Sequence, residues 1–356
     1  MDRRDGGRRA TTMTTTTTIS LALQGGGAHG AFTWGVLDRL LEEDGLAIDG
    51  ISGTSAGAMN ACALAYGLMR GGREGARAEL DAFWRALSRI GDEVFNPYRS
   101  TLLDAFKGRW NLDWTPMGFW LDVMGLLWSP YQLNPCNRNA LRDLLEERIR
   151  FDELRRCRDV KLFVCATNVQ TNKMRVFERE ELSVEAVLAS GCLPQFHQAV
   201  RVEEADGPAY YWDGGYIGNP VLKPLIRRCG ARDIVLVQIN PIREPGVPRT
   251  VQAIQDRLNE VTGNAALMRE LDTIATINKL IAKGTLKDPR YDNIRLHKIG
   301  AEDVMAPLGL RSKYNTALSF LEYLRDIGRR RTDGWLKENR DKIGHEATLA
   351  LDEFAV

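Results

Sequence analysis

Short apolar runs alternate with amphipathic stretches of helical spacing along the first part of the chain. The runs at 19–23 and 50–52 predict buried strands, and each leads through a glycine-rich turn into a helical pattern, at 28–43 and 55–69. Strands that alternate with helices predict a mostly parallel sheet with helices on both faces. Because right-handed crossovers bring the carboxyl ends of parallel strands to one edge, we expect the two glycine turns to meet there.

The same alternation continues through the middle of the chain and gives way to helices near the end. Further strands are predicted at 160–167, 174–177, 210–213 and 234–239, and helices between them at 182–190 and 220–229. After residue 241, apolar positions recur at helical spacing over 250–283 and 312–331, which predicts helices packed on the sheet. We therefore expect an α/β fold of three layers, helix on sheet on helix, built as a single domain over 19–356 with a helical C-terminal extension at 242–356.

Composition places the chain among ordinary globular proteins. Its 356 residues, 44% hydrophobic and 27% charged, suffice for a large core, and a net charge of +1 gives no sign of nucleic-acid binding. Six cysteines without a C-x-x-C pair favour a reducing compartment, and no apolar run is long enough to cross a membrane. Residues 1–18 carry arginine and threonine without an apolar stretch, so they are predicted to be a disordered tail rather than a secretory signal. These features predict a cytoplasmic protein.

The two glycine turns carry the candidate chemistry. The segment 53–57 reads G-x-S-x-G, with Ser55 at its centre, which is the pattern of a nucleophile elbow, a strand-to-helix turn too sharp for side chains at the flanking positions. Gly25, Gly26 and Gly27 offer consecutive backbone N–H groups at a helix start, where an anion can be held. A nucleophile beside an anion-binding loop is the minimum equipment for attack on an ester carbonyl.

The glycine loop taken alone also fits a nucleotide-phosphate site. Glycines at 25, 27 and 30 have the G-x-G-x-x-G spacing, and Asp49 lies close to the acidic position that a dinucleotide site uses. Such a site does not require a second glycine turn with a central serine, so the pair of turns favours an acyl hydrolase. A nucleotide-binding module stays open as the less favoured alternative.

A third motif makes the chain resemble a known family. Asp213 ends an aromatic strand and directly precedes two glycines. A glycine-rich loop, a G-x-S-x-G serine and an Asp-Gly-Gly aspartate, in this order over roughly 19–241, are similar to the motifs of patatin-like phospholipases. The resemblance implies a patatin-like three-layer fold, with Ser55 as nucleophile, Asp213 as its partner in a Ser–Asp dyad, and residues 25–27 as the oxyanion hole.

The same resemblance implies a reaction and a class of substrate. It points to hydrolysis of lipid acyl esters, of the phospholipase A or lysophospholipase type, through an acyl-enzyme. No metal or cofactor is implied, and the acidic and histidine residues show no ligand spacing. A carboxylesterase or thioesterase acting on smaller soluble esters or storage-polymer esters is the alternative within enzymes. The sequence indicates no oligomeric state.

The four histidines bear on whether a histidine base is needed. His345 lies in a charged C-terminal stretch and His297 in a late strand, so neither suits a base beside the elbow. His197 is the one rival to Asp213, whose basicity would rise if burial removed it from water. His29 stands where the family commonly has Arg or Lys, so we expect an accessory role for it and activity that titrates at about pH 6–7.

The segment 91–137 interrupts the alternation with aromatic residues, prolines and glycines. Its aromatic residues are Phe95, Tyr98, Phe106, Trp110, Trp114, Phe119, Trp120, Trp128 and Tyr131. One interpretation is an extra helical layer that fills core, and the other is a cap insertion that gives acyl chains an apolar path to the serine. The stretch 119–128 lacks the lysines and arginines that strengthen binding to anionic lipid, so we expect at most weak peripheral membrane contact.

Overall fold

An eight-stranded sheet forms the centre of the protein, for which a computed structural model describes residues 16–94, 128–244, 246–288 and 291–354. The strands are β1 (Thr17–Leu23), β2 (Leu46–Thr54), β3 (Lys161–Asn168), β4 (Met174–Glu178), β5 (Val200–Glu204), β6 (Gly207–Asp213), β7 (Asp233–Gln238) and β8 (Arg295–Gly300). Their order is β5-β6-β3-β2-β1-β7-β8, and β4 also pairs with β3. Strands β3, β2, β1, β7 and β8 are parallel, whereas β4 and β6 run antiparallel to β3. The predicted, mostly parallel sheet is confirmed.

Helices cover both faces of this sheet. They are α1 (Gly30–Leu41), α2 (Ala56–Val94), α3 (Pro130–Leu133), α4 (Ala140–Arg148), α5 (Phe151–Leu154), α6 (Val184–Ser190), α7 (Lys223–Arg228), α8 (Val251–Ala282), α9 (Glu302–Met305) and α10 (Leu318–Asn339). Helix α2 is broken at Gly71 and Gly72, where the backbone leaves the helical region.

The core divides between the two faces because successive side chains of a strand point to opposite sides. In β1, Leu21 and Leu23 join the apolar cluster that contains α1, α2 and α10. Ala22, between them, joins the second cluster, which contains α7 and α8. Each cluster packs against one face of the same sheet. The predicted three-layer α/β/α architecture is therefore confirmed.

The C-terminal part differs from the expected helical extension in one respect. Strand β8 lies inside 242–356 and pairs with β7 in parallel, so this part completes the sheet as well as covering it. Strand β5 was not predicted, because VRVEE has too few apolar residues to signal a strand, and it forms by pairing with β6. At the other end, β1 begins at Thr17, within the predicted tail 1–18, and the Thr17 N–H donates to the Gly45 carbonyl (2.8 Å).

Helix α8 follows its predicted bounds but packs on the sheet only through its second half. The Thr250 hydroxyl caps its start by accepting from the Ala253 N–H at 3.1 Å. Leu267 and Leu271 are fully buried against the sheet. The apolar residues of the first half are exposed: Val251, Ile254, Leu258 and Val261. The expectation that one continuous apolar stripe packs on the sheet is thus wrong for the first half.

Most of the aromatic segment 91–137 lies outside the described residues. Trp128 and Tyr131 are described, and both are exposed. The expectations for the remaining aromatic residues fall on the part that is not described, so the cap stays a prediction. Within the described ranges, no helix is long and apolar enough to span a bilayer.

Candidate active site

Ser55 occupies the junction between β2 and α2 in a sharply bent backbone. Its φ is +55°, a left-handed conformation that residues with a side chain rarely adopt and that clusters at functional sites. The flanking glycines are required by close approaches. A Cβ atom on Gly53 would lie 2.5 Å from the Gly57 carbonyl oxygen, and one on Gly57 would overlap the Leu23 carbonyl. This is the tight strand-to-helix turn that the motif predicts.

Asp213 reaches Ser55 from the end of β6. Strand β6 pairs with the end of β3, Asp213 opposite Ala166, which brings the aspartate to the carboxyl edge of the parallel strands. Its backbone is held on both sides, by its own N–H donating to the Cys192 carbonyl (2.8 Å) and by the Thr167 hydroxyl donating to its carbonyl (2.8 Å). The Ser55 side chain lies close enough to this carboxylate to act on its pKa as a hydrogen-bond donor. The two predicted residues are thus neighbours at this edge.

The Asp213 carboxylate is buried without a salt-bridge partner among the described residues. Burial raises its pKa to about 6, and the Gly215 N–H, the Ser55 hydroxyl and the charge of Lys313 offset part of that rise. The Gly215 N–H donates to Oδ1 at 2.6 Å. A carboxylate with a pKa near 6 is a stronger base than an ordinary aspartate and is still ionised at neutral pH.

The glycine loop lies directly against Ser55. A Cβ atom on Gly25 would stand 2.6 Å from the Thr54 carbonyl oxygen and 2.7 Å from the Ser55 Cβ, so only glycine fits there. The Gly25 N–H already donates to Asn219 Oδ1 at 2.6 Å. The N–H groups of Gly26 and Gly27 have no acceptor in the described part of the chain. The expectation that all three glycines present free N–H groups is therefore corrected to two.

A network of buried amides holds the loop, and sequence reasoning missed it. The Gln24 side chain donates to the Asn219 carbonyl (3.1 Å) and to Asn264 Oδ1 (3.0 Å), and it accepts from the N–H groups of Ile239 and Asn240 (2.8 and 2.9 Å). Asn240 Nδ2 donates to the Gly25 carbonyl at 3.1 Å. Two Asn-Pro pairs are the sequence signal that could have pointed to this network. Asn219 and Asn240 each stand directly before a proline, close after strands that end at this edge.

His29 does not titrate in the range expected for it. It is 3% exposed, and burial together with the charge of Lys313 lowers its pKa to about 3. Its Nε2 lies 2.7 Å from Ser312 Oγ. The expected pH dependence at about pH 6–7 through His29 is therefore wrong, because a neutral, buried imidazole carries no charge there. The nearby cation is Lys313, which sequence reasoning missed.

The other histidines are not bound to the serine. His197 is half-buried, burial lowers its pKa, and its ring forms no hydrogen bond with any residue that the structure describes. His297 is buried between Asp233 and Thr348, both 3.0 Å from its ring nitrogens, on β8. His345 is exposed. A role for His197 stays a prediction.

Asp49, the acidic residue that a dinucleotide site would use, does not lie beside the glycine loop. Asp49 lies in the first half of β2, five residues before the strand ends, which is about 16 Å at the rise of a strand. Its carboxylate pairs with Lys161 (2.9 Å) and accepts from the N–H groups of Gly230 and Ala231. It cannot reach a ligand held by the glycine loop. In the described ranges, no three His, Cys, Asp or Glu side chains form a group that could hold a metal ion.

The fold and the serine turn define an α/β protein of a recognisable class, and comparison with known proteins identifies it. The family model described as patatin-like phospholipase matches residues 21–226. A patatin-like phospholipase domain-containing protein of Caenorhabditis elegans is 26% identical over 288 residues, which are 79% of this chain and 17% of that protein. The chain belongs to the patatin-like phospholipase family.

Two solved structures show weaker similarity. VipD from Legionella pneumophila is 15% identical, with a TM-score of 0.36 over 86% of this chain and 67% of that chain. A structure of ExoU in complex with SpcU from Pseudomonas aeruginosa is 15% identical, with a TM-score of 0.29 over 96% and 76%. TM-scores this low do not define a shared fold, so family membership rests on the sequence match.

Proposed function

We propose that this protein is a serine acyl hydrolase that cleaves lipid acyl esters by a Ser55–Asp213 dyad. The observation that carries the proposal is that the strained turn at Ser55 lies beside a buried carboxylate, that of Asp213, whose pKa is raised to about 6 and is influenced by the serine side chain. The N–H groups of Gly26 and Gly27, which have no acceptor among the described residues, lie at the same carboxyl edge of the sheet. Membership of the patatin-like phospholipase family supports lipid esters as the substrate class.

Formation of the acyl-enzyme runs through two proton transfers at Asp213. Ser55 Oγ attacks the ester carbonyl carbon while the Asp213 carboxylate accepts the hydroxyl proton. The N–H groups of Gly26 and Gly27 stabilise the oxyanion that forms. The carbon–oxygen bond to the alcohol then breaks, and the alcohol leaves with the proton from Asp213. The acyl group stays on Ser55.

Water completes the cycle by the same route. Asp213 accepts a proton from water as the water oxygen attacks the acyl carbon, and the second oxyanion occupies the same N–H groups. Collapse of this intermediate breaks the bond to Ser55 Oγ, which takes the proton back from Asp213. The fatty acid is released and the hydroxyl is restored. No histidine is needed in this scheme, because the buried carboxylate acts as the base.

Covalent labelling combined with Ser55→Ala tests the proposal. A fluorophosphonate should label the wild-type protein once, on the peptide that contains Ser55, and Ser55→Ala should abolish labelling and lower kcat by about 10⁴–10⁶-fold. Ser129→Ala, at an exposed serine that caps α3, is the matched control and should keep both. Near-normal turnover by Ser55→Ala would overturn the assignment.

A graded substrate series tests the lipid part separately. p-Nitrophenyl esters from acetyl to palmitoyl are compared with phospholipid vesicles, using the same enzyme preparation. Rising kcat/KM with chain length, together with fatty acid release from vesicles, is expected. A preference for acetyl or butyryl esters, with no fatty acid released from vesicles, would contradict the lipid substrate but not the dyad. The protein would then be an esterase or thioesterase that acts on small soluble esters.

A further inference from the structure

A segment outside the family-matched residues 21–226 packs on the glycine loop. Ser312 Oγ lies 2.7 Å from His29 Nε2, just after the loop. Gly27 has a φ of +57°, and a Cβ atom there would overlap the Lys313 carbonyl. The main chain around Lys313 therefore limits the space that the glycine loop can occupy. This segment lies more than 280 residues from the loop in sequence.

The side chain of Lys313 continues this contact with two hydrogen bonds. Its ammonium donates to Asn240 Oδ1 at 2.8 Å and to Asn259 Oδ1 at 3.0 Å. Asn240 Nδ2 in turn donates to the Gly25 carbonyl at 3.1 Å. A cation on the amide oxygen polarises the amide and strengthens the bond that its N–H₂ group donates. A continuous chain of bonds thus joins Lys313 to the glycine loop.

The anchored carbonyl controls the direction of the next N–H. The Gly25 carbonyl and the Gly26 N–H belong to one planar trans peptide group, so they point in opposite directions. Asn240 holds the carbonyl side of this group, and Asn219 Nδ2 adds a longer contact of 3.4 Å. With its carbonyl held, the peptide cannot rotate, and the Gly26 N–H keeps a fixed direction.

We propose that Lys313 is a positioning residue of the anion-binding loop: through Asn240 it fixes the Gly25–Gly26 peptide, and its charge favours the oxyanion formed on that loop. This inference rests on the proposed function. It gives the C-terminal part of the chain a share in the reaction, and it assigns to Lys313 the positive charge that the neutral His29 does not supply.

Titratable groups on several elements face this ammonium. Asp256 and Glu260 lie on α8, Asp213 comes from β6, and His29 from the loop after β1. Burial lowers the pKa of Lys313 to about 8, and Glu260, Asp256 and Asp213 limit that fall. Arg257 on α8 is paired with Glu260 at 3.0 Å, which removes part of the acidic charge available to the lysine. Lys313 is therefore charged at neutral pH and loses its proton in mild alkali.

Two substitutions separate charge from packing. Lys313→Met keeps the length of the stem and removes the ammonium, and we expect kcat to fall by about 10–100-fold, less than the loss of a direct oxyanion donor, with KM nearly unchanged. Lys313→Arg keeps the charge and should restore most of the activity. Lys337→Met on α10 is the matched control, since that side chain is 75% exposed and pairs with Asp333. It should behave as wild type.

The pH profile gives a readout that a purely structural lysine would not move. In the wild type, kcat/KM should decline on the alkaline side at about pH 8, as Lys313 loses its proton. Lys313→Arg should abolish this decline, because arginine stays protonated throughout the range. Asn240→Ala should also cost activity, and the variant with both Asn240→Ala and Lys313→Met should lose less than the two single losses combined, because both act through one chain of bonds.

The outcomes distinguish this inference from the function on which it rests. If Ser55→Ala keeps turnover, the proposed function fails. If Ser55→Ala is inactive while Lys313→Met keeps wild-type kcat and the alkaline decline, only the role of Lys313 fails. A loss in Lys313→Met that comes with a lower Tm and is not restored by Lys313→Arg would show a structural residue and would also overturn the inference.

Discussion

Two buried aspartates at opposite edges of the sheet have opposite acidities. Asp213 ends β6 at the edge where Ser55 lies and is 4% exposed, and Asp233 begins β7 at the other edge and is 2% exposed. Burial raises the pKa of Asp213 to about 6. Burial acts in the same direction on Asp233, but His297, Arg295 and the Gly344 N–H together hold its pKa well below the ordinary value.

The difference lies in the partners that each carboxylate receives. Asp233 is paired with Arg295 at 2.6 Å and with His297 at 3.0 Å, and it also accepts from the Gly344 N–H at 2.9 Å, so it ties β7 to β8 and to the chain beyond α10. Asp213 receives one N–H, one hydroxyl and a more distant charge. Two aspartates of similarly low exposure thus differ in character: Asp233 is a fixed structural anion, whereas Asp213 has the raised pKa that suits a proton acceptor.

The largest expected effect that tests this contrast is on activity. Asp213→Asn keeps the shape of the side chain but cannot accept the serine proton, so kcat should fall by about 10⁴-fold. Steady-state hydrolysis of a p-nitrophenyl ester measures it, with Asp233→Asn as the matched control that keeps its kcat while folded. If His197→Ala proves as damaging as Ser55→Ala while Asp213→Asn is mild, the base is a histidine and the dyad is wrong.

The second prediction concerns stability, for which we expect the larger effect from Asp233→Asn and the smaller one from Asp213→Asn. Asp233→Asn leaves Arg295 and His297 without their anion and should lower the free energy of unfolding by roughly 2–3 kcal/mol, below the value for a fully buried pair because the Arg295 side chain is 21% exposed. Urea unfolding at pH 7 measures this loss. Asp213→Asn should be neutral or stabilising in the same experiment, since it removes a buried charge that has no salt bridge with any described residue.

The pH dependence of that stability has a definite sign. The folded-state pKa of Asp233 is lowered, so its contribution is present above the unfolded value of about 3.9 and is lost as the pH falls through the folded-state pKa. The difference in the free energy of unfolding between wild type and Asp233→Asn should therefore become smaller in acid. A gap that stays constant down to pH 3 would show that the carboxylate is not the source of the stabilisation.

A smaller effect concerns the acid side of the activity profile. Asp213 must be ionised to accept a proton, so kcat/KM should fall tenfold per pH unit below its pKa of about 6. Ester hydrolysis between pH 4.5 and 7.5, at about half-unit steps, locates the midpoint. A midpoint near the ordinary aspartate value of about 4 would mean that the carboxylate is better solvated than its burial indicates.

The smallest expected effect is at His29. His29→Gln keeps a polar group close to Ser312 and removes the imidazole, and it should leave the acid midpoint where it is, because His29 is already neutral. The comparison of the two pH profiles measures this directly. A shift of the midpoint by more than about half a unit would return His29 to the role first expected of it.

Local patterns were enough to find the parts of the site that a few consecutive residues determine. The G-x-S-x-G turn around Ser55 and the strand that ends at Asp213 were both predicted, because each depends on glycines next to it. Asn240 and Lys313 were missed, since single polar residues carry no pattern and reach the loop only through the packing of distant segments. The charge of His29 was misjudged for the same reason: burial, which sets it, is decided by remote residues.

The position of β1 in the sheet has a consequence for how the protein is made. Its neighbour β2 follows directly after α1, whereas β7 pairs with it across more than 200 residues, Ile19 opposite Asp233. While the chain emerges from the ribosome, the backbone N–H and C=O groups on one side of β1 have no strand partner until β7 has been synthesised. Such an unpaired strand edge can form non-native pairings. The serine turn can form early, but Asn240 and Lys313 reach the glycine loop only later. We therefore expect the residues around Ser55 to be able to form their turn before the anion-binding loop has its anchors, which come from the last part of the chain to be synthesised.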